Sequence, residues 1–501
     1  MSKPDQDTAG RGQTLFAGGL ALWLGLALIK FGNPVILDHQ IPVPGTLDEA
    51  LTSSWPALGA FCLSQMLLIA GLNARPIWRA VMLAASVRWL VEPTEILVWD
   101  LGLTSVTLLA VYCRYPSVRC PVWLKVMPLV WLGWQILSAI RCLNGAHDPG
   151  QSRLVLMTLL HFGVCVQSFY LGARVGTGGP AQAQLRQRLT TERPSVAPWQ
   201  RLVWLGLGGG FLIVLAAGWR QHLGGLEETR RFFFNLPDWR TYPPEFIQKL
   251  SSDRIYGTLF YPNVFAGVIL LLLPWLVARW WSSPMSAVLR TTGLIAIGTL
   301  AFGALYWSGS KAGWLICLGQ ALVAALCLAP GGKTRWIILT ILLTIGLAGF
   351  GLRYHRYLTR GATSLSARVD YWQGAWQGIL QRPVLGSGPG TFAKTYRELK
   401  RPEAEMTRLA HNDFLQQGSD SGLPGLLAYA TWLLGGIGVL AIRLHPKKDL
   451  ATFGTVLGLT GIVAQAFLEF WLYIPAIAWP TFFLLGLTLV SNRPTPPHAK
   501  P

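Results

Sequence analysis

Between Arg353 and Gly422 the chain gathers residues that can move a proton or hold a phosphate, in a sequence otherwise dominated by Leu, Ala, Gly and Trp. Its centre reads Ser366-Ala367-Arg368-Val369-Asp370-Tyr371-Trp372, then Arg382-Pro383-Val384-Leu385-Gly386-Ser387-Gly388-Pro389-Gly390-Thr391-Phe392. It closes with Leu409-Ala410-His411-Asn412-Asp413-Phe414-Leu415-Gln416 and Ser421-Gly422-Leu423-Pro424-Gly425. His411 has two readings at a membrane surface. It is a general base near neutral pH, taking a proton from an attacking hydroxyl, or a surface histidine capping its helix. Asn412 and Asp413 either orient that imidazole or are solvated residues of a first helical turn. The Arg368 guanidinium suits phosphate oxygens bidentately, and would equally pair with lipid headgroups. Most of the cations around it, Arg353, Arg356, Arg360, Arg382, Lys394, Arg397 and Arg408, read as headgroup contacts.

Other groups stand upstream. Lys311, in Ser308-Gly309-Ser310-Lys311-Ala312-Gly313-Trp314, lies where an external loop meets an apolar span. It either contacts an anion or snorkels to the interface. Asn263 follows Pro262 and either lines the membrane surface or caps the next span. Gly386, Gly388 and Gly390 lack the spacing of a dinucleotide fingerprint, and no strand precedes them. They read as a tight turn whose backbone comes close to ligand or lipid. No His, Asp and Glu cluster has metal-ligand spacing, so no metal and no cofactor is expected. The seven cysteines form no CxxC pair and lie in or beside apolar runs, as small buried residues do.

The elements that must position these groups are membrane helices. The 501 residues are 52% apolar and 13% charged, with mean hydropathy +0.40, and many runs reach the roughly 20 residues that cross a bilayer. Spans are expected at Leu15–Leu37, Trp55–Leu72, Val122–Leu143, Leu154–Ala173, Leu202–Trp219, Asn263–Trp281, Val288–Trp307, Ala312–Leu328 and Trp336–Leu352. Leu423–Ile442, Ala451–Phe470 and Pro475–Val490 complete the set. A weaker pair, Arg79–Val98 and Leu101–Tyr115, carries Arg88, Glu92 and Glu95, charges that are costly at mid-membrane unless paired. The fold class is therefore all-α, a polytopic transmembrane bundle of about 12–14 spans. Its large extracytoplasmic loop is expected to hold interfacial amphipathic helices. One is marked by Val369, Trp372, Trp376, Ile379 and Leu380, and a second runs from about Arg408 to Gln417, with His411 and Leu415 on one face. No cleavable signal peptide is expected, since Met1 to Gln13 feeds straight into an apolar run.

The net charge of +19 fits basic cytoplasmic loops rather than a nucleic-acid partner, for which no fold signal exists. Lys and Arg cluster on alternate loops, which places both termini in the cytoplasm and the polar island outside it. The chain then divides into N-terminal transmembrane helices (1–175), a cytoplasmic linker (176–200) and central transmembrane helices with a loop at 220–256 (201–352). An extracytoplasmic loop carrying the candidate catalytic residues (353–421), C-terminal transmembrane helices (422–492) and a cytoplasmic tail (493–501) follow.

These motifs resemble the signature of the O-antigen ligase family of bacterial membrane glycosyltransferases. The matching parts are Arg368-x-x-x-Trp372, Pro383-x-x-Gly386-x-Gly388-x-Gly390-Thr391-Phe392, and His411-Asn412-Asp413-x-Leu415 before Gly422-Leu423-x-Gly425. Weaker matches are Arg254-Ile255-Tyr256-Gly257-Thr258-Leu259 with Pro262-Asn263, and Ser308 to Ala312. The resemblance implies metal-independent transfer of a glycan from an undecaprenyl-diphosphate carrier to a glycan or lipid acceptor at the outer face of a bacterial inner membrane. It implies His411 as base and Arg368, Lys311 and Arg254 as diphosphate ligands, supported by Asn412, Asp413, Gly388, Gly390 and Asn263. Lys311 departs from the arginine usual in the family: it keeps the charge and loses the fork. A polysaccharide polymerase or a protein O-oligosaccharyltransferase would carry the same motifs. A transporter is the rival of a different class, with Arg88, Glu92 and Glu95 along its path, although no internal repeat is evident.

Overall fold

The computed structural model describes residues 3–36, 63–64, 66–68, 70–71, 121–145, 148–177, 198–237, 239–241, 247, 250–259, 261–359 and 363–491. All regular structure among them is helical. In chain order the helices are α1 (Lys3–Lys30), α2 (Val122–Asn144), α3 (Pro149–Thr177), α4 (Pro198–Arg220) and α5 (Leu226–Phe234). α6 (Pro262–Trp281), α7 (Ala287–Ser308), α8 (Lys311–Leu328), α9 (Lys333–Thr359) and α10 (Thr363–Gln381) follow. The last four are α11 (Phe392–Leu399), α12 (Asp413–Arg443), α13 (Leu450–Ala466) and α14 (Pro475–Ser491).

Among the described residues, nine helices are long and apolar enough to cross a membrane, while α13 and α14 are shorter apolar helices. The expected polytopic helical class holds. Of the other expected spans, Arg79–Val98 and Leu101–Tyr115, with Arg88, Glu92 and Glu95, lie outside the described residues, as does most of Trp55–Leu72. Most of the 176–200 linker and the 493–501 tail lie outside them as well.

Small residues set the helix contacts. Gly172 of α3 faces the Phe483 carbonyl of α14, and Gly486 answers against the Phe169 carbonyl. Gly25 of α1 meets Gly206 of α4, and Gly458 of α13 meets the Leu271 carbonyl of α6. Lipid tails are as apolar as leucine, so close backbone approach has to supply the dispersion energy that holds such pairs. Aromatic rings fill the interior between them: Trp23 stacks on Trp479 at 5.0 Å and Trp432 on Phe482 at 4.3 Å. α9 contributes little to this core. Its Trp336, Ile337, Ile341 and Ile345 are exposed, which puts an apolar face toward lipid at the rim of the bundle.

The polar island opens with the last turns of α9 and folds around a small core of its own, made of Tyr371, Ala375, Phe392, Tyr396 and Ala410. The helix expected from about Arg408 to Gln417 is corrected. Helical geometry starts at Asp413, because the Asn412 side chain accepts from Leu415 N at 3.0 Å and caps the helix there. His411, at φ +50°, lies outside it. α12 then runs to Arg443, broken only at Gly422 (φ +73°, ψ −177°). A Cβ at Gly422 would strike the backbone of Pro383 and Val384. The span expected from Leu423 is thus the continuation of a helix that begins ten residues earlier, inside the island.

Candidate functional site

The ends of α6, α10, α12 and α13 converge on one carboxylate, Glu469, in the loop after α13. Asn263, at the start of α6, donates from Nδ2 to Glu469 Oε1 at 2.6 Å. Arg368, in the first half of α10, pairs with the same oxygen. The other oxygen, Oε2, lies 3.2 Å from His411 Nδ1. Glu469 and Arg368 are both largely buried, with side chains 4% and 16% exposed, and His411 is 26% exposed. Burial by itself would raise the Glu469 carboxyl. The hydrogen bond and charge of His411, then Arg368 and Asn263, outweigh it and hold the group below its ordinary range.

Arg254 closes the cluster from the loop before α6. Its Nη2 donates to Asn263 Oδ1 at 2.8 Å and its Nε to the Ser308 carbonyl at 2.7 Å, at the C-terminal end of α7 where a cation is favoured. Burial lowers the Arg254 pKa, with Glu469 acting against the shift. Asn263 is therefore no helix cap. Tyr261 occupies that position without a side-chain capping bond, and both ends of the Asn263 amide are spent on charged partners.

The His411 ring is fixed from both sides. Tyr371 stacks on it at 5.6 Å and Phe470 meets it edge-on at 4.7 Å. Trp372 Nε1 donates to the His411 carbonyl at 3.3 Å, which steadies the left-handed backbone. Burial and the neighbouring Glu405 carboxylate push the Tyr371 phenol up to about 12, so it stays protonated at physiological pH. Nδ1 is thus the ring nitrogen that faces the carboxylate.

Lys311 is at the first position of α8, with Nζ 4.0 Å above the Tyr357 ring and 5.6 Å from Tyr354. Arg353 lies over Tyr306 and Tyr354 beside it. These cations border the cluster and touch neither His411 nor Glu469. Arg353 and His355, with Tyr306, Trp314, Gly349 and Leu352, line a cavity of about 480 Å³ at this edge.

Asn412 and Asp413 do not orient the imidazole. Asn412 caps α12 and donates to the Phe467 carbonyl at 3.1 Å, while the buried Asp413 accepts from Leu472 N at 3.2 Å. Both fasten α12 to the loop that carries Glu469. Gly388 and Gly390 stand apart from the cluster. At φ +116° and +75° they form the expected turn, and it docks on α2 and α3 beside Cys142 and Thr158. Asp420 holds the turn: Gly388 N donates to its carbonyl at 2.9 Å and Gly390 N to its carboxylate at 2.8 Å. Gln416 donates to Asp420 at 3.1 Å and accepts from Ala410 N at 2.7 Å, which ties the turn to the His411 backbone. Among the described residues, no group of three or more His, Cys, Asp and Glu is placed to hold a metal ion.

Glu469 is the residue that sequence reasoning missed. It lies in Phe467-Leu468-Glu469-Phe470-Trp471, where apolar neighbours make it look like the last turn of a span. The available signal was its isolation, since it is the sole acidic residue after Asp449.

Residues 294–430 match the family model described as O-antigen ligase. The matched segment contains Lys311, Arg368, Gly388, Gly390, His411, Asn412 and Asp413, and leaves Arg254, Asn263 and Glu469 outside it. An uncharacterized protein of Haemophilus influenzae is 27% identical over 201 residues, which cover 35% of this chain and 49% of the relative. The similarity thus spans about half the length of that curated relative.

Proposed function

We propose, from the match of residues 294–430 to the O-antigen ligase family model and from the apolar helices long enough to cross a membrane, that this chain is a membrane glycosyltransferase that transfers a glycan from an undecaprenyl-diphosphate carrier to an acceptor hydroxyl. The observation that carries this reading is the meeting of His411, Arg368, Asn263 and Arg254 around Glu469 at one end of the bundle. In the transfer, the acceptor oxygen bonds to the anomeric carbon as the bond to the diphosphate oxygen breaks. The lipid diphosphate leaves with that electron pair, and the acceptor's proton passes to His411 Nε2.

The developing negative charge on the leaving group needs fixed cations in a site shielded from water. Arg368 is suited to it: its Nε is buried with no hydrogen-bond partner, a donor still to be satisfied. Lys311 and Arg254 border the same end and add charge. Basic loops on alternate connections support an inner-membrane location with this end toward the periplasm or cell exterior.

The test is transfer by the purified protein in lipid, with a polyprenyl-diphosphate-linked glycan and candidate acceptors. Capped acceptor with free lipid diphosphate is the expected product. Stepwise lengthening of the lipid-linked glycan would assign a polymerase instead, and uptake of solute without transfer would assign a carrier.

A further inference from the structure

We propose that Glu469 is the positioning residue of the transfer, holding the His411 imidazole with Nε2 free and dividing its own charge between base and diphosphate ligand. This rests on the reading of His411 as base and goes beyond it, because Glu469 lies outside the matched segment. The two carboxylate oxygens do different work. Oε1 takes Asn263 and Arg368, while Oε2 takes His411 Nδ1 at 3.2 Å. A neutral imidazole whose Nδ1–H is bonded to a carboxylate has its lone pair on Nε2, the form a general base requires. Once Nε2 gains the acceptor's proton, the same carboxylate stabilises the imidazolium. Tyr371 and Phe470 fix the ring plane but supply no charge at neutral pH.

The charge on Oε1 links the two tasks. Arg368 gives Glu469 a counter-ion in a buried setting, and Asn263 passes the field of Arg254 to the same oxygen. A diphosphate that draws Arg368 toward itself leaves Glu469 with more of its charge for His411. The base then strengthens as the donor seats.

The decisive substitution is Glu469→Gln, which keeps shape and removes charge. Turnover should fall about ten- to a hundredfold, part of what a positioned general base contributes, while KM for the lipid-linked donor stays level or drops. The acid limb of the pH–rate profile should move to lower pH, because an imidazolium without its carboxylate partner gives up its proton more readily. The charged or titratable groups facing the pair are Arg368 and Tyr371 from α10, Arg254 behind Asn263, and Asp413 from α12, and all remain in this variant. Glu469→Asp should recover part of the rate.

Turnover within twofold of wild type with an unmoved acid limb would overturn the proposal. So would a loss of rate that merely follows a raised KM and a lowered melting temperature. If the Gln variant fails to accumulate in membranes, Glu469→Asp decides: lower turnover at unchanged KM supports the role, and wild-type turnover rejects it. His411→Ala is assayed alongside. Retained activity there removes the base reading itself, whereas a dead His411→Ala with an active Glu469→Gln removes this inference alone.

Discussion

Removing the imidazole of His411 separates chemistry from binding. His411→Ala should lower turnover by about 10²- to 10⁴-fold, the usual contribution of a positioned base, while binding of the lipid diphosphate survives. Arg368→Ala should show the opposite emphasis, with weaker donor binding accompanying the lost rate. A transfer assay combined with direct donor-binding measurements separates the two, and wild-type turnover by well-inserted His411→Ala would make that histidine structural. Lys311→Arg should retain activity or improve it, since the charge gains a fork for the diphosphate. Lys311→Ala should lose about tenfold in donor affinity, the worth of one charge-assisted contact. An unchanged alanine variant would leave Lys311 as an interfacial lysine resting on Tyr357. Glu469 adds a stability effect with a definite sign. Its folded pKa lies below the ordinary value, so its ionised form stabilises the fold at neutral pH. That contribution begins to fade below about pH 4.3, the unfolded value, and is lost as pH falls through the folded value. Thermal unfolding between pH 7 and pH 3 should therefore show acid sensitivity in the wild type that Glu469→Gln lacks.

At the scale of elements, the turn at Gly386–Gly390 and the start of α12 stand or fall with Asp420. Its carboxylate accepts from Gly390 N, Gln416 Nε2 and Tyr473 Oη, all in a buried setting. Asp420→Ala leaves these donors without an acceptor, at about 1–3 kcal/mol for each group left unsatisfied. The expected outcome is a clear fall in melting temperature and in the amount of folded protein, with His411 activity lost as its backbone loosens. A variant as stable as wild type would show that water replaces the carboxylate. The elements themselves were legible to different depths. Apolar length announced α6 to α8, α13 and α14 within a few residues, because bilayer thickness leaves little choice, while α9 runs past the expected Leu352 into the island, to Thr359. The start of α12 was not legible: a run of helix formers around Arg408 looks continuous until the Asn412 cap and the left-handed His411 interrupt it. His411, Arg368 and Lys311 stood out as polar groups in an apolar chain. Glu469 did not, because nothing near it in sequence indicates a partner 206 residues earlier, at Asn263. Gly388 and Gly390 were read correctly as a turn, yet the backbone approach they permit is to Asp420 and to α2 and α3.

For the molecule as a whole, the alternation of basic loops predicts that the island faces away from the cytoplasm. Glu403 is well exposed there, its side chain 68% accessible. In a background freed of native cysteines, Glu403→Cys should react with a membrane-impermeant thiol reagent in whole cells whose outer barrier has been permeabilised. Labelling only after lysis would reverse the topology and, with it, the side on which transfer occurs. The lipid-facing α9 adds a contrast: its exposed Ile341 and Ile345 should tolerate any apolar replacement without loss of activity.

The position of Glu469 along the chain also sets when the site can exist. Arg368 is made 101 residues before it and His411 58 residues before it. During biosynthesis Arg368 and His411 are therefore translated before the carboxylate that pairs with both. A chain that stops before the end of α13 holds the arginine and the imidazole without the group that joins them. Under the proposed reading, products truncated before Glu469 should transfer no glycan, so competence arrives late in the making of the chain.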